Sequence, residues 1–121
     1  MRRAATLIGF ALATALTVSS AVAAGHDGNW SVLVVTEKGD CDRAYRYEVS
    51  IAEGRVSFDR DPGITVAGSV SPNGAVKVNI SGGASRNAQG TGRLASDSGA
   101  GTWHGSGQTG VCAGHWEATR R

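Results

Sequence analysis

Charge, proline, cysteine and aromatic residues are all scarce in this chain, and together these scarcities narrow the classes of protein it can be. Only 18% of the 121 residues are charged, low for a soluble domain. Aromatics are 6% and prolines number only two. The two cysteines, Cys41 and Cys112, have no C-x-x-C spacing, which removes the thioredoxin-type redox motif. No G-x-S-x-G elbow marks a hydrolase serine. Beyond residue 24 no stretch has a helical period. Glycine is plentiful instead, at 18 residues. A glycine inside a helix costs roughly 1 kcal/mol against alanine, so a helical bundle is excluded. Apolar residues make up 40% and formal net charge is small, so the chain has the material for a core. Short strands joined by tight turns fit all of these limits.

The N-terminus reads as an address. Met1-Arg2-Arg3 is a short basic region, and Ala4 to Val18 is uncharged and mostly apolar. That run is shorter than the ~20 residues needed to span a bilayer. Ala21-Val22-Ala23 then fits the small-x-small cleavage rule. The expectation is a secretory signal over 1–24 and a single domain over 25–121, periplasmic or secreted, with no stable membrane insertion once the signal is cut. Removing Arg2 and Arg3 leaves ten basic against ten acidic residues. No basic stripe remains, so nucleic acid is not expected as a partner. In an exported chain an even cysteine count reads as a disulfide, here Cys41–Cys112.

The remainder alternates with a period of two, which is the signature of strands with one face turned inward. Trp30, Val32 and Val34 share one phase, followed by Tyr45, Tyr47, Val49 and Ile51. Val56 and Phe58 come next, then Ile64, Val66 and Val70, then Val76, Val78 and Ile80. Leu94, Trp103 and Trp116 complete about eighteen large inward side chains. Turn chemistry separates the runs: Glu37 to Asp40, Ala52 to Gly54, Asp59 to Gly63, Ser71 to Gly74, Ser81 to Gly83 and Ser96 to Gly99. Asn73-Gly74 predicts a hairpin turn with positive φ values. The pattern gives an all-β, antiparallel up-and-down meander of about eight short strands, closed or nearly closed into a small barrel. Closure would bring Cys112, at the start of the last strand, beside Cys41, just past the first. Eighteen large residues are expected to fill so narrow a barrel.

Chemistry-bearing motifs are few. His104 and His115 alternate with Trp103 and Trp116 and so face outward, and His26 lies near a start expected to fray. Asp59-x-Asp61 lacks the carboxylate set of a calcium loop. Glu48 and Glu117 are outward beside arginines, as in cross-strand pairing on a solvated face. No catalytic residue, metal or cofactor is expected, and the protein is not expected to be an enzyme. Trp30, Tyr45, Tyr47, Trp103 and Trp116 form the one constellation suited to binding, though aromatic side chains also build small cores.

Several short motifs carry a resemblance. They are Gly28-Asn29-Trp30-Ser31-Val32, Cys41, Tyr45-Arg46-Tyr47, Gly68-Ser69-Val70 and Pro72 to Val76, followed by Gly90 to Leu94, Gly99 to Trp103 and Cys112 to Arg120. Together they resemble a group of short exported proteins of alphaproteobacteria that lack an assigned activity, some labelled for haem utilisation or adhesion. Haem would need an axial ligand, and Tyr45, Tyr47, His104 and His115 are the residue types available. The meander is also similar in style to avidin- and lipocalin-type barrels. The expected function is a non-catalytic binding or interaction module of the cell envelope or medium, monomeric, with a protein, glycan or surface partner. A carrier of a small molecule, haem or another hydrophobic ligand, is the alternative.

Overall fold

The two-residue period becomes eight antiparallel strands that close on themselves. A computed structural model describes residues 25–82, 86–106 and 109–121. The expected signal, 1–24, lies outside the described residues. The strands are β1 (Gly28–Lys38), β2 (Ala44–Ala52), β3 (Arg55–Ser57), β4 (Ile64–Val70), β5 (Ala75–Gly82), β6 (Arg86–Leu94), β7 (Ser98–Ser106) and β8 (Val111–Arg120). Each pairs with its neighbour in sequence, and β1 pairs with β8, from Trp30↔Arg120 to Lys38↔Ala113, with a bulge between Thr36 and Lys38. Many outward positions are polar, among them Arg46, Glu48, Lys77, Asn79 and Glu117, while β1 turns the half-buried Leu33 and Val35 to the outside. Arg121 pairs with Glu48 at 2.8 Å as the alternation implied, but Glu117 faces His115, at 3.5 Å, instead of an arginine. Strand β7 starts at Ser98, within the span read as a turn, because Ala95 N–H bonds Ser98 O at 2.6 Å and closes the connection early.

One end of the barrel is shut. The β2–β3, β4–β5 and β6–β7 turns gather there with the start of β1 and the end of β8, and the buried core (Trp30, Ile51, Val70, Val76, Leu94 and Ala118) forms a floor across it. The start expected to fray is held in place. His26 O accepts Trp30 Nε1–H at 2.9 Å, which satisfies an indole that is only 1% exposed. The Asp27 carboxylate accepts the backbone N–H groups of Glu53 (2.7 Å) and Gly54 (3.3 Å). Those two residues make a turn in which both φ angles are positive, 53° and 76°, the two-residue form that matches strand twist. At Ser71 to Gly74 only Gly74 is positive (φ 93°), so Asn73 departs from its expected conformation. There Gly74 N–H bonds Ser71 O, and Gly74 O receives Leu94 N–H, both at 2.8 Å. Arg120, in the inward phase of β8, spans the floor from outside. Its guanidinium donates to Asp27 O (2.6 Å), Gly25 O (2.7 Å) and Ser96 O (2.9 Å) and lies 4.7 Å from the centre of the Trp30 ring.

The opposite end carries the β1–β2, β3–β4, β5–β6 and β7–β8 connections and the disulfide. Cys41 and Cys112 are bonded, their Cα atoms 6.1 Å apart and 71 residues apart in sequence, as closure required. A crosslink over such a loop stabilises the fold by about 4 kcal/mol in the chain-entropy model. Gly39 (φ 93°) lets the β1–β2 connection turn directly against Cys112, and a Cβ there would stand 2.8 Å from Cys112 Sγ.

The wall is not uniform. Strand β3 is three residues long. It joins β2 through three residue pairs and β4 through two, Arg55↔Ser69 and Val56↔Gly68. Towards the disulfide end, Ala44 to Val49 of β2 pair only with β1, and Ile64 to Ala67 of β4 pair only with β5. The connection 58–63 crosses that interval.

Candidate ligand cavity

The inward phase was expected to pack solid, and it does not. Every one of the large inward side chains lines a cavity of about 770 Å³ inside the barrel. That volume lies within the roughly 300–1,000 Å³ of small-molecule sites. The reason is the composition of one wall. On β6, β7 and β8 the inward phase includes Gly90, Gly92, Gly101, Gly105 and Gly114, which contribute no volume. The two tryptophans on that wall then lie along it instead of crossing the lumen. A buried indole N–H seeks an acceptor, and the acceptors within reach are wall carbonyls. Trp116 Nε1–H donates to Thr91 O at 3.2 Å, over Gly92 and Gly101, where added Cβ atoms would stand 2.5 and 2.6 Å from its ring. Trp103 Nε1–H donates to Val35 O at 2.9 Å. A Cβ on Gly114 would stand 1.9 Å from that same oxygen.

The facing wall carries the other aromatics. Tyr45 and Tyr47 stack with ring centres 6.0 Å apart, and Phe58 meets Tyr47 edge-on at 5.4 Å. All five residues singled out for binding from the sequence (Trp30, Tyr45, Tyr47, Trp103 and Trp116) therefore line one space, with Trp30 at its floor. Phe58 belongs with them. Its phase with Val56 placed it inward, but its position beside the Asp59 to Gly63 connection gave no sign that it would reach Tyr47. Phe58 and Val49 also line a notch on the outer surface, so in that interval the wall is one side chain thick. The role of Arg120 was missed, although it shares the alternation of Trp116 and Ala118.

The mouth is polar, lined by Asp40, Asp42 and Asp61 among others. Asp40 accepts from the Thr109 hydroxyl, and Asp61 Oδ1 accepts Gly63 N–H at 2.9 Å. Asp40, Cys41 and Cys112 lie close together, but the disulfide takes both sulfurs from any metal. Tyr47 has its hydroxyl pKa raised above the ordinary 10.0, first by burial, then by Tyr45 and by the negative charge of Asp61. It therefore stays a neutral O–H donor. Of the axial-ligand types weighed for haem, Tyr45 and Tyr47 line the cavity, whereas His104 is exposed and His115 bonds Glu37 outside at 2.8 Å. The arrangement can surround an apolar body, press aromatic faces against it and offer polar groups at one end. No family model, curated protein or solved structure matches the chain.

Proposed function

We propose that this protein is an exported, non-catalytic carrier of a small hydrophobic molecule, held inside the barrel and working in the periplasm or the medium. The observation that carries this is the single cavity into which all six aromatic side chains beyond residue 24 are directed. A shut floor, a polar mouth and a disulfide beside that mouth suit a vessel that must keep its shape outside the reducing cytosol. The outer wall offers less for docking. Among the described residues Val111, 72% exposed, is the large hydrophobe left in solvent, and docking surfaces need a contiguous apolar patch.

The test is binding of the uncharged probe N-phenyl-1-naphthylamine, followed by its fluorescence, with native mass spectrometry of protein purified from a periplasm. Saturable one-to-one binding is expected, and a retained adduct would give the ligand class by mass. Val66→Trp, which adds bulk inside the lumen, should abolish binding while leaving the circular dichroism of the fold intact. Absence of binding by the unaltered protein would return the function to surface interaction through the loops.

A further inference from the structure

The two aromatic walls of the cavity differ in what they offer a ligand. On one, the indole N–H groups are spent, Trp103 on Val35 O and Trp116 on Thr91 O, and at the floor Trp30 is spent on His26 O. That wall presents ring carbon. On the other, Tyr47 lines the cavity with its hydroxyl held as a neutral donor. Among the described residues no group accepts from that hydroxyl, and Asp61, whose charge it feels, is bonded through Oδ1 to Gly63 N–H. The ring has little freedom to seek an acceptor elsewhere. Tyr45 stacks beside it at 6.0 Å and Phe58 meets it edge-on at 5.4 Å, so it is held from both sides. Burial sets the tyrosines apart from other lining donors. Ser81, Asn87, Gln89 and Ser106 are exposed, so water keeps serving them, whereas Tyr45 and Tyr47 are half-buried. A ligand that fills the lumen takes water from the Tyr47 hydroxyl. It must then bring an acceptor or leave the donor bare, and a bare buried donor is costly.

We propose that the cargo is a ring-bearing molecule with an acceptor oxygen, a carbonyl being the simplest, and that this oxygen receives the Tyr47 O–H while the rings lie against the wall that carries Trp103. This rests on the carrier function proposed above. Tyr47 is then the residue that tells such a molecule from a hydrocarbon of the same shape. A site built to bond an oxygen rejects the analogue lacking it, because its own polar group is left unpaired. The proton stays on Tyr47, and no covalent bond is made or broken.

The experiment is calorimetric titration of the exported protein and of its Tyr47→Phe variant with 2-acetonaphthone and 2-ethylnaphthalene, which share a ring system and differ in the carbonyl oxygen. Tyr47→Phe removes one oxygen and keeps the ring between Tyr45 and Phe58. It should weaken the ketone ~5-fold relative to the hydrocarbon. The bound ketone gives a second reading that reports the hydrogen bond itself. Its C=O stretch should lie at lower wavenumber in the unaltered protein than in Tyr47→Phe. If Tyr47→Phe changes the two affinities equally, or the C=O stretch is the same in both proteins, the assignment of Tyr47 is overturned and the carrier function stands. Failure of both ligands to bind a protein that binds N-phenyl-1-naphthylamine likewise overturns the cargo assignment alone. Failure of all three overturns the carrier function with it.

Discussion

Replacing Arg120 by alanine should destabilise the barrel far more than the same change at its neighbour Arg121. Arg120 holds three backbone carbonyls, those of Gly25, Asp27 and Ser96, and covers the Trp30 ring. The part-buried bond to Asp27 is worth about 1.5 kcal/mol and the two exposed bonds about 0.5 kcal/mol each. The cation over the indole adds ~0.5 kcal/mol or a little more. The loss is then about 3 kcal/mol, a large share of the ~5–15 kcal/mol that holds a domain folded. In a domain of this size it corresponds to a fall of roughly 12–24 °C in Tm. Arg121 makes one exposed pair with Glu48, and its loss should stay below about 1 kcal/mol. Arg120→Lys keeps the charge but cannot present three donors in a fork, so it should fall between the two. Urea unfolding followed by circular dichroism measures all three variants at matched salt. If Arg120→Ala shifts the midpoint no further than Arg121→Ala, the floor is not held by this clasp and the packing of Trp30 alone seals it.

The indole-covered wall makes a second test. A Cβ at Gly101 would stand 2.0 Å from Thr91 O and 2.6 Å from the Trp116 ring, so Gly101→Ala should cost about 2 kcal/mol or more and red-shift tryptophan emission as the ring is displaced. At Gly90, two residues from Gly92 on the same wall, the nearest atoms would be 3.6 Å away, and Gly90→Ala should change neither stability nor emission by a measurable amount. Alkaline titration makes a third. The folded Tyr47 pKa lies above its unfolded value, so the unfolded chain releases this proton first and stability falls as pH rises from about 10 through the folded pKa. Below that window Tyr47 contributes no pH dependence. Absorbance at 295 nm should show its ionisation delayed in the native protein, and Tyr47→Phe should move the alkaline unfolding midpoint upward. An unshifted midpoint would sink that assignment.

Parity was the most legible property of this chain. The alternation from Trp30 to Trp116 fixed which side chains face inward, and the position of Cys112 relative to Cys41 implied a closed sheet. The cavity was not legible, because volume depends on where side chains go as well as on which way they start. A tryptophan crossing the lumen would fill it, whereas one lying over Gly92 and Gly101 leaves it open, and alternation is the same in both cases. The clasp of Arg120 on Gly25 and Asp27 joins the last strand to the residues just before the first, a contact that no local pattern reports. Asn73 misled for a different reason. Asn-Gly permits two positive φ values but does not require them, and the bond from Gly74 N–H to Ser71 O is made with one.

The three-residue strand β3 gives the barrel an unequal circumference. As drawn by its pairings it is a hoop, but a hoop is only as cooperative as its shortest ladder. On the arc between β2 and β4 the ladder is three pairs on one side and two on the other. The line where the first and last strands meet, often the weak point of a rolled sheet, runs from Trp30↔Arg120 to Lys38↔Ala113 and is flanked by the disulfide. Thermal opening should therefore start a quarter of the way round, at β3, with amides there exchanging ahead of those of β1 and β8. A gap can widen and close at that place with the main ladder, the floor and the crosslink all intact, so local breathing and global unfolding are separate events in this molecule.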